Sequence, residues 1–213
     1  MRQNGFSMLE ILVVIGVMTF MVGLVLGSTG AINGTQGMTA MHQVTAMCDL
    51  ARSRSLRGEG TILLAFAAKN PGTTGQSYRS AILCAENTAT DDPEDYVAIS
   101  EWYHLPAGYV FTNIEAASES AGGNIFKVSN ASRKVKLPGT MDPVELPCIG
   151  FGSLGEVVIP EPDVTTLESM LIAIAEGQAD VDGPLTRSGG THLPEDCRWI
   201  AVRRNSGSPM ILP

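Results

Sequence analysis

The sequence is poor in the residues that build metal centres and disulfide scaffolds. Its 213 residues include 4 cysteines and 3 histidines, and no CxxC or HxxxH spacing occurs among them. Structural zinc sites and dithiol redox motifs need such closely spaced ligands, so neither is expected. An even number of cysteines would allow disulfides in an exported domain, and reduced core thiols fit the sequence equally well. The candidates for either state are Cys48, Cys84, Cys148 and Cys197.

Positive charge is also scarce. The chain has 14 Lys and Arg against 22 Asp and Glu, which gives a formal net charge of −8. Proteins that bind nucleic acids usually present a basic face to the phosphates. We therefore do not expect a nucleic-acid partner, although Arg198, Arg203 and Arg204 form a late basic cluster.

Charge is missing altogether from one long stretch near the start. Residues 11–48 contain no Asp, Glu, Lys or Arg, and nearly every residue of 11–26 is apolar. A helix from Ile11 to Gly30 would be about 30 Å long, which is the thickness of a bilayer core. The polar head is too short, the apolar stretch too long and the cleavage site too weak for a secretory signal peptide. These features predict a transmembrane helix.

Glu10 is unexpected at the edge of this stretch, since an acid in hydrocarbon costs roughly 2.5–3.5 kcal/mol. The residues GFSMLE, followed by ILVVIGVM, resemble the prepilin motif of type IV pilins and type II secretion pseudopilins. In that family a short leader ends in Gly, a peptidase cuts after it, and the new first residue, usually Phe, is N-methylated. The fifth mature residue is Glu. The resemblance implies a cleaved leader over residues 1–5, a cut between Gly5 and Phe6, and an assembly role for Glu10.

The resemblance also implies partners and a location. Glu10 would pair with the free α-amine of a neighbouring subunit and fix the stagger between subunits, because a paired buried charge is tolerated where a lone one is not. The implied partners are other pilin or pseudopilin subunits, the prepilin peptidase and methylase, an inner-membrane assembly platform and membrane lipid. No cofactor is implied. The implied location is the bacterial inner membrane, as a single-pass protein with a periplasmic head, and then the pilus or pseudopilus.

Helical periodicity returns after a glycine-rich stretch. Apolar side chains recur on one face, which holds Met41, Val44, Met47, Cys48 and Ala51. Arginines crowd the positions up to Arg57, and Gly58 suits the position after a helix end. We therefore expect a transmembrane helix half over 6–30, an amphipathic helix half over 31–57 and a periplasmic β-rich head over 58–213.

The head alternates short apolar runs with turns. The segment 167–176 fits a helix or a strand, and we favour a strand because LIAIA is short, rich in Ile and ends at Gly177. The predicted fold class is α+β, with one long N-terminal helix packed on an antiparallel β-sheet head. Several head stretches, among them LPAGYVF and RWIAVRRNSGSPMIL, resemble GspH/FimT-type minor pilins. The predicted strands are Thr61–Ala67, Tyr78–Cys84, Tyr96–His104, Tyr109–Phe111, Lys134–Leu137, Cys148–Phe151, Glu156–Ile159, Met170–Ala175 and Arg198–Arg203.

Two other motifs have more ordinary interpretations. Gly150–Gly155 matches GxGxxG, but the following EVVIPEPDV cannot form the helix that a dinucleotide site requires, so we predict a hairpin turn. Two acidic loops without EF-hand spacing are weak calcium candidates, and solvated loops are the favoured interpretation. Their acids are Asp91, Asp92, Asp95, Asp180 and Asp182.

No Ser/His/Asp, Cys/His or paired-carboxylate arrangement follows from the spacing of residues, so an enzyme is not expected. The leading hypothesis is a structural, non-catalytic minor pilin or pseudopilin of a type IV pilus or type II secretion system. One alternative is a static membrane-anchored periplasmic binding module. Another is a DNA-uptake minor pilin, which would need a basic groove on the head.

Overall fold

The computed structural model describes residues 8–69, 76–87, 95–114, 122–128, 130–160, 168–180, 183–186 and 197–212, with the backbone alone for residues 9–10 and 22–35. Within these residues one helix, α1 (Met8–Leu56), precedes all of the strands. The strands are β1 (Ile62–Phe66), β2 (Ser80–Glu86), β3 (Tyr96–Ala98), β4 (Tyr103–His104), β5 (Tyr109–Thr112), β6 (Gly123–Asn124), β7 (Ser132–Lys136), β8 (Val144–Phe151), β9 (Val157–Ile159), β10 (Ser169–Ala179), β11 (Pro184–Thr186), β12 (Arg198–Arg203) and β13 (Pro209–Leu212).

The chain divides into two compact units, Met1–Met38 and Thr39–Pro213. The described residues of the first unit are all helical. The second unit contains the rest of α1 and every strand.

The predicted transmembrane helix half over 6–30 is not supported. A helix needs about 20 consecutive, mainly apolar residues to cross the hydrocarbon core, and no helix within the described residues meets the combined requirement of length and apolarity. This finding corrects the predicted single-pass inner-membrane location with a periplasmic head.

Five strands of the second unit close into a small barrel. β1 pairs with β2, β2 with β3, β3 with β7, β7 with β8, and β8 returns to β1. The β3–β7 pair is parallel and the other four are antiparallel. β9 continues the sheet beyond β8, and β4 pairs with the start of β2. Alternate side chains of the ring, including Leu63, Ala65 and Leu146, form one buried apolar cluster.

A second sheet has the strand order β11-β10-β12-β13, with β5 and β6 also paired to β10. The β10–β6 pair is parallel. Apolar side chains of this sheet, such as Phe111 and Ile172, share a larger cluster with Leu64 of β1 and Val44 of α1. β1 is therefore buried on both faces.

The predicted fold class, one long helix on an antiparallel β-sheet head, is wrong. The strands form a closed five-stranded barrel and a separate second sheet, and each contains a parallel pair. A strand buried on both faces has no polar side to alternate with its apolar side. The runs of apolar residues could thus indicate strands without indicating how those strands pair.

Individual strands were predicted more accurately than their arrangement. Arg198–Arg203 is β12 as predicted, and the ambiguous segment is confirmed as a strand because it forms β10. The predicted strand over 96–104 is two short strands, β3 and β4. β6, β11 and β13 were missed; all three are only 2–4 residues long.

The end of α1 follows its sequence signals. Gly58 has a φ of 84°, and its amide donates to the Ser55 carbonyl at 3.0 Å. Glycine is favoured in this left-handed conformation after a helix end. The predicted buried face is confirmed at Met41, Val44 and Cys48, which have no exposed surface.

Candidate functional site

The residues assigned to processing and assembly are only partly described. Gly5 and Phe6 lie outside the described residues. Glu10 belongs to α1, and the structure describes its backbone alone. Within this candidate site, the described side chains therefore begin with the residues that follow Glu10 along the helix.

That surface is apolar on all sides. We name residues 11–21 the apolar segment. Its large side chains are all at least half exposed, from 50% at Val14 to 69% at Leu12 and Phe20. The set is Ile11, Leu12, Val13, Val14, Ile15, Val17, Met18, Phe20 and Met21.

The one hydroxyl in the apolar segment has its hydrogen bond satisfied within the helix. Thr19 Oγ1 donates to the Ile15 carbonyl at 2.9 Å, with the Gly16 carbonyl also within reach at 3.0 Å. Gly16 has open space around the position of a Cβ, with no heavy atom of the described residues within 4 Å. The segment thus presents apolar side chains to a partner. At Gly16 a partner can also approach the helix backbone closely.

A helix that is apolar on all sides is normally buried in a larger core. Full burial of one Val, Leu, Ile, Phe or Met side chain is worth about 1.5–3 kcal/mol. Contiguous exposed apolar surface of this kind marks an interaction site. The apolar segment can therefore act as the association surface of this chain.

The calcium candidates do not form a metal site in the part of the chain that the structure describes. Asp91, Asp92 and Asp182 lie outside it. Asp95 accepts a hydrogen bond from Asn87 Nδ2 at 2.7 Å, and Asp180 is exposed. Among the described residues no three His, Cys, Asp or Glu side chains are placed to hold a metal ion.

The four cysteines are all unbridged. Cys84 and Cys148 both point into the barrel, on the two strands that flank β1. Burial raises the pKa of the Cys148 and Cys197 thiols to about 12, and it raises the pKa values of Cys48 and Cys84 further. These thiols are therefore protonated near neutral pH and poor nucleophiles.

The GxGxxG motif forms the predicted hairpin turn. It connects the antiparallel strands β8 and β9, and the Gly152 amide donates to the Glu156 carbonyl at 2.9 Å. Gly155 has a φ of 79°, which suits the turn. No helix follows this loop within the described residues, so the feature that would bind a pyrophosphate is missing there.

Two of the late arginines lie at opposite ends of one strand. Arg198 and Arg203 are the first and last residues of β12, so their Cα atoms are about 17 Å apart. Arg204 Nη2 donates to the Pro160 carbonyl at 2.6 Å. The DNA-uptake alternative stays a prediction that these positions do not test.

Sequence reasoning missed a polar cleft in the second unit. Its volume is about 580 Å³, and its lining includes Gln76, Arg79, Gly108, Gly177, Gln178 and Asp180. These residues come from the approach to β2, the turn before β5 and the end of β10. They are up to about a hundred residues apart, and none belongs to a motif, so the sequence carries no signal that they meet.

Beside this cleft, Ser80 and His104 form a hydrogen-bonded pair. Ser80 Oγ lies 2.7 Å from His104 Nδ1 and accepts from the Gln76 amide at 2.9 Å. Ser80 has no exposed surface. A substrate cannot reach its hydroxyl, so the pair positions the chain before β2 and does not form a nucleophile.

Comparisons with protein-family models, with curated proteins and with solved structures gave no match to this chain.

Proposed function

We propose that this protein is a structural, non-catalytic filament subunit of the minor pilin or pseudopilin kind. Its leader over residues 1–5 is removed by a prepilin peptidase, and the mature chain assembles with other pilin-like subunits through α1. The observation that carries the proposal is the apolar segment. All of its large side chains are at least half exposed, directly after the Gly5-Phe6 and Glu10 register.

The surface fits self-assembly among similar helices. An all-round apolar helix is satisfied when several neighbours surround it, as happens in the core of a filament. Contact with a single flat partner would cover one side and leave the others in water. Copies or relatives of the same helix supply a complementary apolar surface on every side.

Glu10 supplies register in this proposal. Apolar contact is non-directional and tolerates sliding of one helix along another. A carboxylate that pairs with the amine of a neighbouring Phe6 selects one axial offset, because other offsets leave a charge buried without a partner.

The processing step is tested at the mature N-terminus. The full chain is expressed in cells that contain a prepilin peptidase and methylase, and the purified product is measured by mass spectrometry. We expect a chain that begins with N-methyl-Phe6. The Gly5→Leu variant should retain residues 1–5. A wild-type chain that keeps Met1 in those cells would contradict the proposal.

The register step is tested by Glu10→Ala, with Glu10→Asp as the control that keeps the charge. Incorporation into filaments is measured as the sedimented fraction of subunit in cells that supply the other pilin-like components. We expect Glu10→Ala to lower incorporation by roughly tenfold, with a circular dichroism spectrum like wild type. Glu10→Asp should retain most incorporation. Equal incorporation of Glu10→Ala and wild type would rule out pairing at Glu10.

A further inference from the structure

The polar cleft of the second unit holds a fixed positive charge. Arg79 lines the cleft, and its Nη2 donates to the carbonyls of Leu105 at 3.2 Å and Pro106 at 3.4 Å. Both acceptors are neutral, so they orient the guanidinium without cancelling its charge. Arg79 Nε is buried and has no hydrogen-bond partner among the described residues. A buried donor without an acceptor is destabilising, and this structure retains one beside an open cleft.

The backbone beside Arg79 is also held in an uncommon conformation. Tyr78 has a φ of 54°, although it is not glycine. Its amide donates to the Ala67 carbonyl at 2.8 Å, its carbonyl accepts from the Phe111 amide at 2.7 Å, and its ring packs on Phe126. A bulky residue is strained in this region of backbone conformation, and such strain clusters at ligand sites. The strain at Tyr78 directly precedes the residue that carries the charge.

The other walls of the cleft carry hydrogen-bond acceptors and open space. Asp180 and Gln178 line it at the end of β10, and both are exposed. Gly108 has a φ of 85°, and a Cβ placed there would meet no atom within 4 Å. A volume of about 580 Å³ falls within the roughly 300–1,000 Å³ typical of small-molecule sites.

We propose that this cleft is a binding site for a small zwitterion, such as an amino acid or a short peptide. The ligand carboxylate lies against the Arg79 guanidinium, and its ammonium group lies towards the Asp180 carboxylate. A carboxylate beside Arg79 supplies a charged acceptor, whereas the two carbonyls that it contacts are neutral. This site is separate from the association surface on α1 and does not depend on the proposed filament role.

The test uses three peptides that differ in one charge each. The full chain is labelled with ¹⁵N and titrated with glycylglycine, with glycylglycinamide, which lacks the carboxylate, and with N-acetylglycylglycine, which lacks the ammonium. Amide shifts of Gly108 and Gly177 report binding. We expect glycylglycine to bind with a Kd of about 1–10 mM, as suits so few atoms. The amide should bind at least roughly tenfold more weakly.

Variants of the cleft separate binding from folding. Arg79→Gln should weaken glycylglycine binding by roughly tenfold or more. Arg79→Gln also removes the hydrogen bonds to two backbone carbonyls. Gly108→Asn therefore serves as a second variant, which blocks the cleft without changing Arg79. Asparagine tolerates a positive φ, and its side chain would enter the cleft. Its control is Gly139→Asn, where φ is 80°, no atom lies within 4 Å of the new Cβ and the position is not in the cleft lining.

Loss of binding in Arg79→Gln and Gly108→Asn, with retention in Gly139→Asn, supports the site. Asp180→Asn should weaken glycylglycine binding but leave N-acetylglycylglycine binding unchanged. The proposal is overturned if glycylglycine causes no shift at about 50 mM, if the amide binds as tightly as the acid, or if Gly108→Asn binds like Gly139→Asn.

Discussion

The two parts of α1 that belong to different compact units differ in how far their apolar side chains are exposed. In the apolar segment, residues 11–21, every large side chain is at least half exposed. In the part that begins at Thr39, Met41, Val44 and Cys48 have no exposed surface, whereas His42 and Asp49 on other faces are exposed. The same helix thus carries an all-round apolar surface and a one-sided apolar face.

The difference separates the part of α1 whose burial stabilises the folded chain from the part whose burial can stabilise an assembly. The one-sided face packs into the core that contains Phe66 and Ile172, so its burial belongs to the folding of the single chain. In the apolar segment at least half of each large side chain is still exposed, so its burial is available for association. Paired substitutions in the two parts should therefore separate folding from assembly.

The largest effect is expected from a charge placed in each part. Val44→Asp puts a carboxylate at a position with 0% exposure, and Val14→Asp puts it at 50% exposure. Val44→Asp should lower the free energy of unfolding by about 4 kcal/mol or more, whereas Val14→Asp should change it by less than about 0.5 kcal/mol. Urea denaturation followed by Trp fluorescence measures both. Equal destabilisation by the two variants would remove the distinction between the parts.

A smaller effect is expected from truncation. Met41→Ala removes a side chain with 0% exposure, and its control Met18→Ala removes one with 64% exposure. The first should destabilise the fold by about 2–4 kcal/mol through lost transfer energy and a cavity, and the second by less than about 0.5 kcal/mol. The same denaturation curves measure both values. The comparison fails if Met41→Ala leaves the urea midpoint in place.

The next effect in size is the pH dependence of unfolding that arises from the buried Cys48 thiol of the one-sided face. Burial, with a smaller effect from Asp49, raises the pKa of the Cys48 thiol well above its usual range. The stability it contributes is complete below the unfolded pKa of about 8.5 and falls as pH rises, by about 1.4 kcal/mol per unit, because the unfolded thiol ionises first. Cys48→Ala should make the decline between about pH 9 and 10 shallower by that amount. An unchanged slope would contradict the burial of Cys48.

The smallest effect concerns two glycines of this region. Gly58→Ala forces a side chain into a φ of 84° and should cost about 1–2 kcal/mol. Gly16→Ala, inside α1 with no atom within 4 Å of the new Cβ, should favour the helix by about 1 kcal/mol. Thermal unfolding and helical circular dichroism measure the pair. We expect the two substitutions to change stability in opposite directions, and a change in the same direction would contradict this prediction.

Local features were predictable from the sequence because local residues determine them. The face around Val44, the helix end before Gly58 and the β8–β9 turn all follow from patterns within a few residues. The closure of the barrel does not, because β3 and β7 pair across about forty residues and short buried strands look alike. The polar cleft was equally hidden, since Arg79 and Asp180 line it from positions about a hundred residues apart in the chain.

The most direct test of the assembly account is the accessibility of the apolar segment before and after assembly. Cys197, the one partly exposed cysteine, is replaced by Ser, and Val14→Cys is introduced as the labelling site, with Met210→Cys at a 43% exposed position as the control. A polar maleimide should modify residue 14 rapidly in the isolated subunit and at least roughly tenfold more slowly in the filament. Labelling at residue 210 should change less. Equal labelling of residue 14 in the two states would contradict the claim that the apolar segment is the buried surface of the assembly.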